Sequence, residues 1–266
     1  MIVKLPQITE DFLSHLEEMA WKGIVTYEVN GLKMEVFPFV FPPSSPFSDS
    51  SHMLYDFFCD VKGHRILDIG TGTGVQAIQA VRGGASYVLA TDVFQPAIDC
   101  AKHNVQKHGL GGQIDIIYSD VFDRVPSQQL FHSIIANLPI LDYCVGKESE
   151  LCLFDPGFVA HQKLFSQAER YLRDGGRIVL VHADLAGKTA FTDLEELAGQ
   201  HRFSSRVRGS VYSKGYEWRQ YEFKSKQIML NFYFFFFFIF FFFFYFFLFF
   251  FIFFFYFFIL FLFFFY

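Results

Sequence analysis

The segment Ile66-Leu67-Asp68-Ile69-Gly70-Thr71-Gly72-Thr73-Gly74-Val75 leaves few folds open to this chain. Arg65 to Ile69 read as a short buried strand, the alternate glycines as a turn, and the residues from Val75 onward as a helix. Glycine is needed where a chain turns with positive φ, or where backbone must meet a ligand with no Cβ between them. A dinucleotide loop has the spacing G-x-G-x-x-G and aims a helix N-terminus at a pyrophosphate. Here the spacing is G-x-G-x-G, and Val75 stands where the third glycine of that fingerprint belongs. Asp68, two residues before Gly70, would oppose a pyrophosphate and suits a ligand that carries an ammonium group. A tight strand-to-helix turn that holds no ligand is the plainer alternative.

The rest of the chain supplies the setting. Strands are expected at Arg65 to Ile69, Tyr87 to Thr91, Ile114 to Tyr118, Ser133 to Ala136 and Arg177 to His182. Helices are expected at Val75 to Val81, Pro96 to His108 and Val159 to Leu172. The strands are short and largely apolar on both faces, as strands buried in a parallel sheet must be. The fold class is therefore α/β, a doubly wound, mainly parallel sheet. A helix at Phe191 to Ala198 and two strand-like runs, Ser205 to Tyr212 and Tyr216 to Phe223, follow and close the sheet with a C-terminal β-hairpin. At the other end, an amphipathic helix over Ile8 to Trp21 precedes a small hairpin. Its turn, Asn30-Gly31, tolerates positive φ at both positions. Pro38, Pro42, Pro43 and Pro46 make an irregular crossing to a helix that starts near Asp49 to Ser51 and ends before Gly63. The expected division is an N-terminal extension over 1–48, a catalytic domain over 49–225 and a tail over 226–266.

Two further carboxylates fall at strand ends. Thr91-Asp92 ends the second strand, eighteen residues after Gly74; there a carboxylate can accept from both ribose hydroxyls of an adenosine. Ser119-Asp120-Val121-Phe122 follows the third strand; Asp120 can accept from the exocyclic amine of adenine while the neighbouring Val121 backbone meets a ring nitrogen. A turn-capping role is the alternative for Asp120. Adenosine with an ammonium and no phosphate describes S-adenosyl-L-methionine. The expected cofactor contacts are Asp68, Gly70, Thr71, Gly72, Gly74, Asp92, Asp120 and Val121.

From these residues the chain resembles the class I methyltransferases, with their Rossmann-like seven-stranded sheet. More narrowly it resembles the small-domain group of peptide-release-factor glutamine and ribosomal RNA guanine N-methyltransferases. The resemblance covers about Gly31 to Phe203. It includes the hairpin and Pro-rich entry, the glycine loop, Thr91-Asp92, a helix carrying Ala97, Ala101 and Asn104 at family-like spacing, and Tyr171-Leu172-Arg173-Asp174-Gly175-Gly176-Arg177. Asn104 by itself reads as a solvated helix residue.

At the end of the fourth strand the family has Asn-Pro-Pro-Tyr. This chain has Asn137-Leu138-Pro139-Ile140. The resemblance implies that the Asn137 side-chain oxygen and the next carbonyl, on Leu138, receive the two N–H bonds of a planar amine. That aims the nitrogen at the methyl group. Catalytic roles are carried over to Asn137, Leu138 and Pro139. Ile140 has no π face, so stacking must come from another ring, with Tyr143 the candidate; a strand end with no catalytic role is the alternative. A second departure is Phe41-Pro42-Pro43-Ser44-Ser45-Pro46-Phe47, which contains no Arg where the glutamine methyltransferases have one. The expected activity is N-methylation of a protein side chain or an RNA base, with no metal. Two other readings remain: a catalytically inactive S-adenosylmethionine-binding module, and an NAD-dependent oxidoreductase, which the glycine spacing and Asp68 disfavour.

Average composition hides a sharp boundary. Phe232 to Tyr266 hold 25 of the 41 phenylalanines and no charged, small or turn-forming residue. The run is too long for one membrane span and has no polar break for two. It is interrupted only by Tyr, Ile and Leu, each one T-to-A change from the codon TTT, so we read it as translated AT-rich DNA at a frameshifted or mispredicted gene end. On that reading no membrane partner is expected. Cys59, Cys100, Cys144 and Cys152 are scattered without a C-x-x-C pair, and Glu10 and Asp11 interrupt any signal-like start. A reducing, cytoplasmic setting is the expectation. The net charge of −5 argues against coating nucleic acid. The basic run from His201 to Lys226 reads first as a solvated edge hairpin.

Overall fold

Asn30 and Gly31 both adopt positive φ, 51° and 74°, which is the geometry a two-residue hairpin turn requires. In the computed structural model, which describes residues 7–43, 49–143, 146–226 and 230–265, this turn joins β1 (Val25–Val29) to β2 (Leu32–Val36) in antiparallel register. Helix α1 (Gln7–Lys22) precedes them. Val29, Leu32 and Met34 point from the hairpin into the main apolar core beside Ile66, Val75 and Val88. The hairpin thus shares its core with the domain that follows.

Chain order then gives α2 (Asp49–Tyr55), β3 (Arg65–Ile69), α3 (Val75–Arg82), β4 (Tyr87–Asp92), α4 (Gln95–Lys107), β5 (Ile114–Tyr118), β6 (Phe131–Ala136) and α5 (Val159–Gln167). These lead to β7 (Leu172–Ala183), α6 (Ala190–Gln200), β8 (Phe203–Ser213) and β9 (Tyr216–Ser225). Seven strands form one sheet in the order β5-β4-β3-β6-β7-β9-β8. The first five are mutually parallel, and β9 runs antiparallel between β7 and β8. One core cluster, with Ile78, Val88 and Val179, covers one face of the sheet. A second, with Leu67, Phe131, Leu164 and Phe223, covers the other. Winding turns outward in one direction from β3 to β5 and resumes in the other from β6. The crevice between the carboxyl ends of β3 and β6 is therefore the switch point at which such sheets bind ligands.

Boundaries differ from the sequence reading at informative places. The helix expected from Val159 to Leu172 ends at Gln167 and continues as a 3-10 turn to Tyr171. The strand expected from Arg177 begins at Leu172. Leu172 pairs with Phe131, Arg177 pairs with Ser133, and the intervening residues bulge at Gly175, whose φ is 72°. Loss of period-2 spacing across the bulge hides the strand's first half. Leu230–Phe265 forms a separate unit, a single helix α7. Phe costs only a few tenths of a kcal/mol per residue in a helix, and no Gly or Pro interrupts this one. By length and composition Ile239–Leu262 is long and apolar enough to cross a membrane.

Candidate active site

Four N–H groups of the glycine loop are committed within the fold. The N–H groups of Gly70 and Thr71 both donate to the Thr91 carbonyl at 2.9 Å, and the Gly74 N–H donates to the Thr71 carbonyl at 2.9 Å. The Gly72 N–H donates to Asp92 Oδ2 at 2.9 Å. A pyrophosphate would need these donors free, whereas here a carboxylate and carbonyls already hold them. Asp92 also accepts from the Phe94 N–H at 3.0 Å through its other oxygen. That fixes both oxygens while each keeps a lone pair for a ligand hydroxyl. Burial raises the Asp92 carboxyl above the usual range, against the pull of the Phe94 and Gly72 N–H groups.

A cavity of about 360 Å³ opens over this loop. Gly70, Thr71, Gly72 and Thr73 line it together with Asp92, Asp120 and Val121, and so do Asn137, Leu138, Pro139 and Ile140. Charged groups on its wall are Asp92, Asp120 and Asp155 against Lys214, a balance that suits a cationic, phosphate-free ligand. Val121 adopts φ 52°, a strained conformation for a β-branched residue. The turn is tied by Ser119 Oγ, which donates to the Val121 carbonyl at 3.1 Å and accepts from the Arg124 N–H at 3.0 Å. Asp120 pairs through Oδ2 with Lys163 Nζ at 2.5 Å, which leaves Oδ1 for another donor. Glycine loop and substrate corner adjoin: a Cβ on Gly70 would sit 3.7 Å from the Asn137 carbonyl oxygen. Asn137 lines the cavity, and among the described residues its side-chain amide has no hydrogen-bond partner.

Two expected cofactor contacts lie off the cavity wall. Asp68 is 1% exposed, and its carboxylate accepts the Thr71 hydroxyl at 2.7 Å and the Ala77 N–H. It faces inward because β3 alternates and its partners lie under the loop. Burial pushes its carboxyl up to about 7, helped by nearby Asp92 and opposed by Thr71 and Ala77. A folded pKa above the unfolded one stabilises the fold fully below the unfolded value, and that stability is lost as pH rises through the folded value. We therefore expect the stability of Asp68→Asn relative to wild type to rise between pH 4 and pH 7, by at most ~1.4 kcal/mol per pH unit. Urea unfolding at several pH values checks this, and a flat difference would contradict it.

Gly74 is the other residue turned away. With φ 81°, it caps α3, and a Cβ there would lie 3.2 Å from Ala101 Cβ and 3.3 Å from Ala101 Cα. Helix contact and positive φ demand this glycine. Gly74→Ala is expected to cost ~1–3 kcal/mol in the same unfolding experiment; an unchanged midpoint would contradict that.

Sequence reasoning missed several wall residues. Tyr143 does not line the cavity; its ring packs against Phe154 at 5.5 Å, and Phe39, Phe41, Phe94, Phe154 and Trp218 supply the aromatic wall. Leu141 and Phe154 pair in a short parallel bridge, with the Asp155 N–H donating to the Leu141 carbonyl at 2.8 Å. Only the Phe41-Pro42-Pro43 stretch was legible as lying near the site. Trp218 on β9 carried no local signal. Ser44, Ser45, Pro46, Phe47 and Cys144 lie outside the described residues. Among the described residues, no three His, Cys, Asp or Glu side chains are grouped to hold a metal ion.

Comparison with known proteins gives this geometry its class. Residues 40–210 match the family described as the methyltransferase small domain. The chain belongs to that family, and it is an S-adenosylmethionine-dependent methyltransferase. It is 27% identical over 188 residues to a protein of Methanocaldococcus jannaschii provisionally named a protein N5-glutamine methyltransferase, covering 68% of this chain and 91% of that one. A release factor glutamine methyltransferase of Gloeobacter violaceus is 28% identical over 162 residues, 56% of each chain. Among solved structures, a methyltransferase from Pyrococcus furiosus superposes with a TM-score of 0.57 at 19% identity, covering 81% of this chain and 98% of that chain.

Proposed function

We propose that this chain transfers a methyl group to a nitrogen of a protein side chain or RNA base held at the Asn137 corner, with a protein amide or amine the favoured class. The observation that carries it is the unpartnered Asn137 amide on the wall of the same cavity as the glycine loop and Asp92. S-adenosylmethionine, when bound, supplies an activated methyl group on a sulfonium.

The chain's own residues do the rest by positioning. Asp92 accepts from the ribose hydroxyls. Asp120 Oδ1 and the strained Val121 backbone receive the adenine edge. The Asn137 oxygen and the Leu138 carbonyl accept the two N–H bonds of the incoming nitrogen, and Pro139 stiffens the turn that carries them. Ile140, Leu138 and Phe154, all nearly buried, exclude water from the path of attack. Stacking falls to the surrounding phenylalanines and Trp218 instead of a ring at position 140. No protein nucleophile is needed for a one-step displacement.

Two relatives with glutamine-methylating names, one of them matched over 91% of its length, support the protein substrate. The test is transfer of labelled methyl from S-adenosylmethionine by the full chain into a cell extract separated into protein and RNA. Label in protein, recovered as an N-methyl amide or amine after digestion, is the expected result. Label in RNA alone would move the substrate to a base. Cofactor binding with label in neither fraction would leave the inactive binding module as the better reading.

A further inference from the structure

Asn104 sits on α4, a helix whose exposed side carries Lys102 and Gln106, yet its own side chain is completely buried. Every polar atom it has is used. Oδ1 accepts the Glu35 N–H at 2.9 Å; Nδ2 donates to the Glu35 carbonyl at 2.8 Å and to the Thr73 carbonyl at 3.0 Å. One amide thus joins three segments distant in sequence: strand β2 of the N-terminal hairpin, the glycine loop and the helix that follows Asp92. We propose that Asn104 is a positioning residue through which the N-terminal hairpin holds the glycine loop in its cofactor-binding shape, so that the hairpin is a working part of the cofactor site.

Three further observations support the link. Glu35 is fastened to α4 a second time, its carboxylate meeting Lys107 Nζ at 2.6 Å and His103 Nε2 at 2.5 Å. Val36 and Val40 pack with Ala97 and Cys100 in their own small cluster, and the His108 ring reaches the Lys33 carbonyl at 3.1 Å. The hairpin is therefore rigidly seated on α4. On the same face α4 also touches the loop where Ala101 backs onto Gly74. Thr73 lies on the cavity wall between two residues whose N–H groups are bonded elsewhere. Its carbonyl is the point at which the loop is held from behind. Loss of the amide would leave the buried Thr73 carbonyl and the part-buried Glu35 N–H without the partner they now have, and the Glu35 carbonyl with only the weak Cys100 thiol donor at 3.3 Å; such groups drive a segment to rearrange.

The inference rests on the reading of the glycine loop as the cofactor site, and the experiment separates the two. Calorimetric titration of the full chain with S-adenosylmethionine is compared across wild type, Asp92→Ala, Asn104→Ala and His103→Ala. Hydrogen exchange is followed at the amides of Gly72 to Val75. Asn104→Ala is expected to weaken binding at least tenfold and to speed exchange in the loop. His103→Ala, which strips an ion pair and a ring contact to Phe37 but leaves the backbone bonds to Asn104, is expected to lower Tm and keep affinity within twofold. Should Asn104→Ala not fold, Asn104→Asp replaces it. That variant keeps the acceptor for the Glu35 N–H and loses the donor to Thr73, and the same tenfold loss is expected.

Normal affinity and loop exchange in the Asn104 variant, alongside a weakened Asp92→Ala, would overturn this proposal alone. Affinity losses in His103→Ala and Asn104→Ala that simply follow their drop in Tm would also overturn it, since Asn104 would then be ordinary packing. Unchanged binding by Asp92→Ala would sink the cofactor-site reading and this inference with it.

Discussion

Asp92→Ala is expected to weaken S-adenosylmethionine binding by ~1,000-fold. The carboxylate is placed to accept two ribose hydroxyls, and charge-assisted hydrogen bonds of this kind contribute ~1.5–3 kcal/mol each, so the pair is worth ~4 kcal/mol or three decades of affinity. Alanine also strands the Gly72 and Phe94 N–H groups, which now donate to Asp92 at 2.9 and 3.0 Å. Part of the loss would therefore come from the loop losing its shape. Isothermal titration at one pH and salt concentration measures it. Equal binding by wild type and variant would contradict the assignment of the adenosine site. An Asp92→Asn variant separates the two contributions, because an amide oxygen can still accept from one of the two N–H groups but carries no charge.

Asn137→Ala is expected to do the opposite: cofactor affinity within about threefold of wild type, and turnover at saturating cofactor lower by ~100-fold or more. Its side chain makes no bond within the described part of the chain, so little in the fold depends on it. What it offers is an acceptor for the substrate nitrogen, and a misaimed nitrogen loses rate and leaves binding of the other ligand alone. Methyl transfer into the protein fraction under single-turnover conditions reads this directly. A variant that turns over normally would return the Asn137 to Ile140 corner to a plain strand end.

The parallel sheet was legible because its strands are buried on both faces and its helices keep a 3.6-residue period, both local properties of sequence. Strand ends were less so. Phe131 and His132 follow the polar Gln128-Gln129, and the Gly175 bulge breaks alternation in β7, so both strands were read too short. The strand-end carboxylates Asp92 and Asp120 were legible as candidates from their place after a strand, and both lie on the cavity wall. Asp68 and Gly74 were readable as residues the loop needs, but their direction was not. Asp68 turns under the loop to Thr71, and Gly74 turns to Ala101. Which side of a turn a group faces depends on what packs behind it, and that is not encoded within the turn.

By itself, the spacing Gly70, Gly72, Gly74 with Val75 after it determined that this chain closes a strand-to-helix turn unlike that of a dinucleotide fold. Dihedral freedom and the lack of a Cβ are properties of single residues, so they can be read from single residues. Only the tertiary structure decided that four of the loop's N–H groups are spent on Asp92, Thr91 and Thr71, that Phe39, Phe41, Phe94, Phe154 and Trp218 line the cavity, and that Asn104 is buried between the hairpin and Thr73. Apart from the Thr71–Gly74 turn, each of these joins residues tens to more than a hundred positions apart. A side chain's hydrogen-bond partners and burial belong to the packed assembly of strands, and no local pattern around Asn104 or Trp218 distinguishes them from solvated residues.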